Sequence, residues 1–236
     1  MLFGWFYYDW TVLIVLPALI FTLIAHTRVN STFEKYSQQI CARGLTGAEA
    51  ARRLLNANGL YHVNVFQTSG HLSDHYNPKD QTIYLSKEVY STASTAAIGV
   101  ACHEVGHALQ DADAYAPLKA RMGMVKACNI GSSLAMPLFF IGLFFAYGSS
   151  LGYLFMLAGI ACFSLATLFQ LITLPVEFNA SRRALAGIRD MGILYDDELD
   201  GAKQVLTAAA MTYVAALATS LLTLLRLIVI ANDRRR

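Results

Sequence analysis

The stretch ACHEVGHALQD (Ala101–Asp111) sets His103 and His107 four residues apart, with Glu104 directly after the first. On a helix, positions i and i+4 share one face, one turn apart, so the two imidazoles can aim at a common point. That is the bite zinc needs, with nitrogen about 2.0–2.1 Å from the metal. Glu104 points to the side of that axis. There it can take the proton of a metal-activated water without becoming a ligand. Gly106 lets another backbone or a substrate approach the helix. Two histidines alone leave the coordination incomplete, and a third ligand must come from elsewhere in the chain.

Glu177, in LPVEFNASRRAL, is the expected third ligand. It is the only carboxylate between Ala114 and Arg189, and it stands beside an apolar block, where an acid is costly unless paired or ligated. Pro175 is read as opening a helix, which would put Glu177 in a first turn, where the helix dipole alone could account for a carboxylate. Asp200 is the rival. Its LDG (Leu199–Gly201) is like the aspartate motif of intramembrane site-2 proteases, but it follows Tyr195-Asp196-Asp197-Glu198, read as a solvated run. His62, His71 and His75 are read as surface or substrate-side residues, and Asp111 and Asp113 lie too close to the motif to swing back.

These residues sit in an unusually apolar chain. Of 236 residues 56% are hydrophobic and 14% charged, and the apolar ones gather in blocks, the pattern of a membrane protein. The blocks are Trp10–Ala25, Ile130–Tyr147, Leu151–Leu174 and Val205–Ile230, the last interrupted only by Arg226. Each is near the length needed to cross about 30 Å of hydrocarbon. Trp5, Phe6, Tyr7, Tyr8 and Trp10 suit an interfacial belt at the first block. With no basic residues before it and no small-x-small site after it, that block is expected to be a retained anchor, not a signal peptide. The net charge of +2 gives no reason to expect nucleic acid. Cys41, Cys102, Cys128 and Cys162 have no zinc-knuckle or redox spacing, and Cys102 is expected to pack.

The organisation expected is an N-terminal transmembrane helix at 1–26, a membrane-associated catalytic segment at 27–129, a transmembrane hairpin at 130–175 turning at Gly148-Ser149-Ser150, a helix carrying the third ligand at 176–204, and a C-terminal transmembrane or re-entrant helix with a basic tail at 205–236. Within the catalytic segment, 32–58 reads as helix broken at Gly44 and ended at Gly59, with Thr46 and Glu49 forming a capping box for its second part. Residues 61–68 and 81–86 read as two strands joined by the turn-rich HLSDHYNPKD. Thr92–Asp111 reads as the motif helix. A hairpin returns the chain to the side it left, so both polar segments share one face. Lys and Arg (Arg28, Lys35, Arg43, Lys119, Arg121, Lys126, Arg182, Arg183, Arg189, Lys203) crowd that face, against Arg234–Arg236 and Arg226 opposite. The active site is therefore expected to face the cytoplasm from a bacterial inner membrane, in a multi-pass protein.

With HEVGHALQ, LPVEFNASRRAL, DHYNPKDQTIYLS and GAKQVLTAAAMTYVAA in view, the chain resembles, nearly end to end, the YugP-like bacterial membrane-bound neutral zinc metallopeptidases, of the gluzincin type. The resemblance implies a mainly α, polytopic membrane protein with about four transmembrane helices and a small α+β zincin-like catalytic part. It implies one zinc per chain on His103, His107 and Glu177. Gluzincins take their third ligand from a Glu-x-x-Ala-Asp helix. Glu177 and Ala180 match that pattern, and Ser181 stands in the place of the aspartate that orients a metal histidine. A substrate strand is implied along Ile83, Tyr84, Leu85 and Ser86. His75, Tyr76, Arg182 and Tyr195 remain open for the oxyanion.

The function expected is zinc-dependent endopeptidase activity on membrane-associated proteins or peptides, with membrane lipids as surroundings. Two alternatives stand beside it: a site-2-type protease using Asp200, and a non-catalytic scaffold. The intact Glu104 argues against the scaffold, since a structural metal has no need of a base.

Overall fold

The computed structural model describes residues 9–70, 73–145 and 150–235. Trp5–Tyr8, His71, Gly148, Ser149 and Arg236, which entered the sequence reading, lie outside them. In chain order the elements are α1 (Val12–Ser37), α2 (Gly47–Ala57), β1 (Asn64–Thr68), β2 (His75–Asn77), β3 (Thr82–Ser86), α3 (Lys87–Tyr90), α4 (Thr95–Ala112), α5 (Ala116–Phe145), α6 (Ser150–Asp190) and α7 (Asp196–Arg235).

The apolar blocks and the polar stretches beside them fold as single helices. α1, α5, α6 and α7 are long and apolar enough to cross a membrane. α6 has 41 residues, about 60 Å at 1.5 Å per residue, twice the hydrocarbon thickness. Pro17, Pro137 and Pro175 all lie inside helices. The expectation that a helix begins at Pro175 is therefore corrected. The proline forfeits one backbone hydrogen bond, a loss that long apolar helices tolerate where their neighbours compensate.

The described parts of Met1–Ile24, Ala120–Thr173 and Tyr213–Arg236 form one compact unit. Its α5–α6 hairpin closes on small residues: a Cβ on Gly159 would fall 2.7 Å from the Ala135 carbonyl oxygen, and one on Gly142 2.6 Å from that of Gly152. Phe139, Met156, Leu227 and Ala231 are its buried centre. Hydroxyl pairs cross it, Thr22 with Thr219 at 3.0 Å and Thr167 with Ser220 at 2.7 Å. Arg226 is an ion-pair partner of Asp9 and also donates to the Thr11 hydroxyl, which is how an arginine is accommodated in an apolar helix.

Ala25–Lys119 with Leu174–Thr212 form the second unit. The Thr46–Glu49 capping box closes α2 as expected, and Gly44 and Gly59 take φ of +66° and +74°, which glycine adopts freely. The sheet has three strands, not two. Its order is β1-β3-β2, with β1 parallel and β2 antiparallel to β3. The turn-rich loop supplies β2, which is too short to show alternation. Asp74 ends that ladder by accepting from the Ser86 N–H at 2.7 Å and from its hydroxyl. Leu54 and Leu55 of α2, Ile83 and Leu85 of β3, Ile98 and Val105 of α4, and Ile188 of α6 share one core.

Candidate metal centre

Ser94 caps α4 through the Ala97 N–H, and the helix presents His103 and His107 on one side. α6 crosses against that side. A Cβ on Gly106 would lie 2.4 Å from the Ala180 carbonyl oxygen, so only glycine permits this approach. The crossing carries Glu177 to the two histidines. One ligand atom from each of His103, His107 and Glu177 lies within 4.8 Å of the others. Glu177 is mid-helix, so a helix-terminus dipole does not account for it. It is 2% exposed, and Glu104 is 7% exposed.

The spacing fits a metal. Glu177 Oε2 stands 3.3 Å from His103 Nε2 and 3.5 Å from His107 Nε2. A charge-assisted N–H···O bond settles nearer about 2.7–2.9 Å. Ligands about 2.0–2.1 Å from a tetrahedral zinc stand about 3.3–3.4 Å apart. The observed distances match the polyhedron edge better than the hydrogen bond.

The outer side of each imidazole is engaged as well. Ser181 Oγ is 3.1 Å from His103 Nδ1. Gln110, a residue the sequence reading left unassigned, meets His107 Nδ1 through Oε1 at 3.0 Å. Its Nε2 donates to the Val176 carbonyl at 2.8 Å and to Asn179 Oδ1 at 3.0 Å. A backbone carbonyl only accepts, so Nε2 must face Val176 and Oε1 must face the imidazole. His107 Nδ1 therefore carries the proton, leaving the Nε2 lone pair for the centre. Asn179 also accepts from Arg183 Nε, and Arg183 pairs with Asp113. The signal for Gln110 was its place three residues after His107 on the same helix.

Burial disfavours charge on His107, but the hydrogen bond to Glu177 and the charges of Glu104 and Glu177 outweigh it and raise its pKa. A field that favours a proton there also favours a divalent cation. Burial raises the Asp74 carboxyl against its bonds from Ser86, and the charge of Glu104 adds to the rise. Burial pushes the Cys102 thiol up to about 12, in keeping with a packing role.

The other candidates lie elsewhere. Asp200 is exposed and lines a groove with Arg182. Among the described residues, the only group of three or more His, Cys, Asp or Glu placed to hold a metal is the His103–His107–Glu177 set, which Asp200 does not join. Glu198, read as solvated, is buried and accepts from the Ala42 and Tyr195 N–H groups, because the start of α7 packs where the chain leaves α1. Ile83–Ser86 is the central strand, covered by β1 and β2. Its Ser86 N–H is taken by Asp74, so it has no edge for a substrate. Tyr76 donates its hydroxyl to Asp111 Oδ2 at 2.9 Å. His75 stacks on Tyr84, with ring centroids 5.1 Å apart. Tyr195 lies under the Arg43 guanidinium, and His62 is exposed.

The chain thus combines four helices long and apolar enough to cross a membrane with a His103–His107–Glu177 set placed to hold a metal. Residues 11–232 match the family described as "Putative neutral zinc metallopeptidase", and the chain belongs to that family. It is 46% identical over 225 residues to the "Putative membrane protease YugP" of Bacillus subtilis (strain 168), covering 95% of this chain and 97% of the relative. No solved structure matches.

Proposed function

We infer that the chain is a zinc-dependent endopeptidase of gluzincin type acting on membrane-associated proteins or peptides. The observation that carries this reading is the His103–His107–Glu177 set, its ligand atoms within 4.8 Å of one another, with the charge of Glu104 close enough to act on His107. The family and the relative's name support a protease, and the four apolar helices support membrane-associated substrates.

His103, His107 and Glu177 would hold one zinc, with Ser181 and Gln110 orienting the imidazoles. When bound, the metal supplies Lewis acidity, polarising the scissile carbonyl and acidifying water. Glu104 accepts the proton of the attacking water at its carboxylate as the oxygen–carbon bond forms. It then delivers that proton to the amide nitrogen as the carbon–nitrogen bond breaks, so acid and amine products leave with protons balanced. An extended substrate pairs with β2, the edge strand held to α4 by the Tyr76–Asp111 bond.

The test uses purified full-length protein in detergent. Zinc per chain is measured by elemental analysis, and hydrolysis of fluorescein-labelled casein is followed. Glu104→Gln should keep zinc and lose hydrolysis by about 10²–10⁴-fold. Wild type without zinc, or an undiminished Glu104→Gln variant, refutes the reading.

A further inference from the structure

Ser181, which the peptidase reading sets on His103, also stands in the wall of a groove whose other lining residues that reading does not use. Residues 174–190 of α6 and 196–212 of α7 are joined by a short turn at 191–195 and so run antiparallel. Between them is a groove of about 740 Å³. Its lining is both apolar and cationic. Phe178, Leu185, Leu206 and Ala210 supply apolar lining, with Phe178 and Ala210 placed where each helix passes, in sequence, into its apolar stretch. Arg189 and Lys203 line it toward the turn and Arg182 midway along, between Phe178 and Leu185, against a single carboxylate, Asp200. All three cations are exposed, and none of them forms an ion pair among the described residues. A smaller hollow of about 460 Å³ shares Asp200 and Lys203 and adds Arg28, which extends the positive field.

The geometry points to this groove as a binding site for an anionic phospholipid, with its phosphate among Arg182, Arg189 and Lys203 and an acyl chain along Phe178, Leu185, Leu206 and Ala210. Three cations against one acid leave a surplus of positive charge that a zwitterionic headgroup does not neutralise. Guanidinium and ammonium groups bind phosphate oxygens through charge-assisted bonds. An extended peptide finds little here, because helix backbones have spent their N–H and C=O groups internally and no strand edge lines the groove. A lipid needs only apolar surface and a charge clamp. It is also the abundant amphiphile around two helices that are themselves candidate membrane spans. This site does not rest on the peptidase reading, since none of its clamp residues belongs to the metal cluster.

The test is retention of dioleoyl phosphatidylglycerol against dioleoyl phosphatidylcholine by full-length protein in detergent, measured by native mass spectrometry. Wild type should retain phosphatidylglycerol at least tenfold better. Replacing Arg182, Arg189 and Lys203 together by Gln should weaken that retention by about 10–100-fold. The same charge removal at Arg53, Lys79 and Lys87 should leave it within about twofold. Thr207→Trp fills the groove with every charge intact and should give the same loss, so the proposal stays testable if the triple variant does not fold. Equal retention of the two lipids, or an equal loss in the control triple, overturns the proposal. So does Thr207→Trp without effect. Displacement by millimolar glycerol phosphate as effective as by the whole lipid also overturns it, because the acyl chain would then contribute nothing.

Discussion

The Gln110 carboxamide donates at 2.8 Å to the carbonyl of Val176, the residue before Glu177, while its oxygen holds the imidazole of His107. One fully buried side chain therefore fixes the tautomer of one ligand and the position of the next. Gln110→Ala would leave the Val176 carbonyl and the His107 Nδ1–H without their partner. Zinc affinity should fall by about 10–100-fold, with hydrolysis at saturating zinc far less affected. Competition against a chelator of known affinity measures it. Ser181→Ala should show a smaller loss, since His103 keeps some access to solvent.

Glu177 and Asp200 can be separated directly. Glu177→Ala removes an anionic ligand from a buried cluster and should lower zinc affinity by more than about 100-fold. Asp200→Asn, in the groove, should leave zinc at wild-type content. Elemental analysis of the two variants side by side decides the matter, and the opposite pattern would return the third ligand to Asp200.

Gly106→Ala tests the helix crossing. Alanine favours an isolated helix by about 1 kcal/mol over glycine. Here its methyl would stand 2.4 Å from a backbone oxygen that cannot rotate away. Overpacking of about 1–3 kcal/mol should prevail. The expected result is a lower thermal midpoint together with weaker zinc binding, because α6 must retreat and take Glu177 with it.

Asp74 gives a pH dependence. Its folded-state carboxyl is raised above 3.8, so the folded protein holds this proton more tightly than the unfolded chain. Its contribution to stability is present in full below pH 3.8 and is lost as the pH rises through the folded value. Asp74→Asn keeps an acceptor for Ser86 and removes the charge. The midpoint difference, variant minus wild type, should grow as pH rises from acid and then level off. A difference that shrinks over that range would show the assignment to be wrong.

The features that local spacing encodes were legible in the sequence: the histidine pair on one helical face, Glu104 beside it, the Thr46–Glu49 box and the apolar blocks. Glu177 was legible because an isolated acid beside an apolar block demands a partner. What depends on distant partners was not. β2 forms because β3 is there to pair with it, and three residues carry no periodicity of their own. Pro175 reads locally as a start, yet α6 passes through it. Glu198 reads as one more acid in a charged run until the Ala42 N–H arrives. The pairing of β1 and β2 on either side of β3 likewise leaves the strand whose sequence drew attention without a free edge.

The cluster joins residues 74 apart in the chain, His103 and Glu177, with α5 and most of α6 made between them. At about 5–20 residues per second, ribosomes add Glu177 roughly 4–15 s after His103. A growing chain thus holds His103, Glu104 and His107 for that interval with no Glu177 to join them, and the three-residue set is complete only once the second half of α6 has been made and has docked on α4.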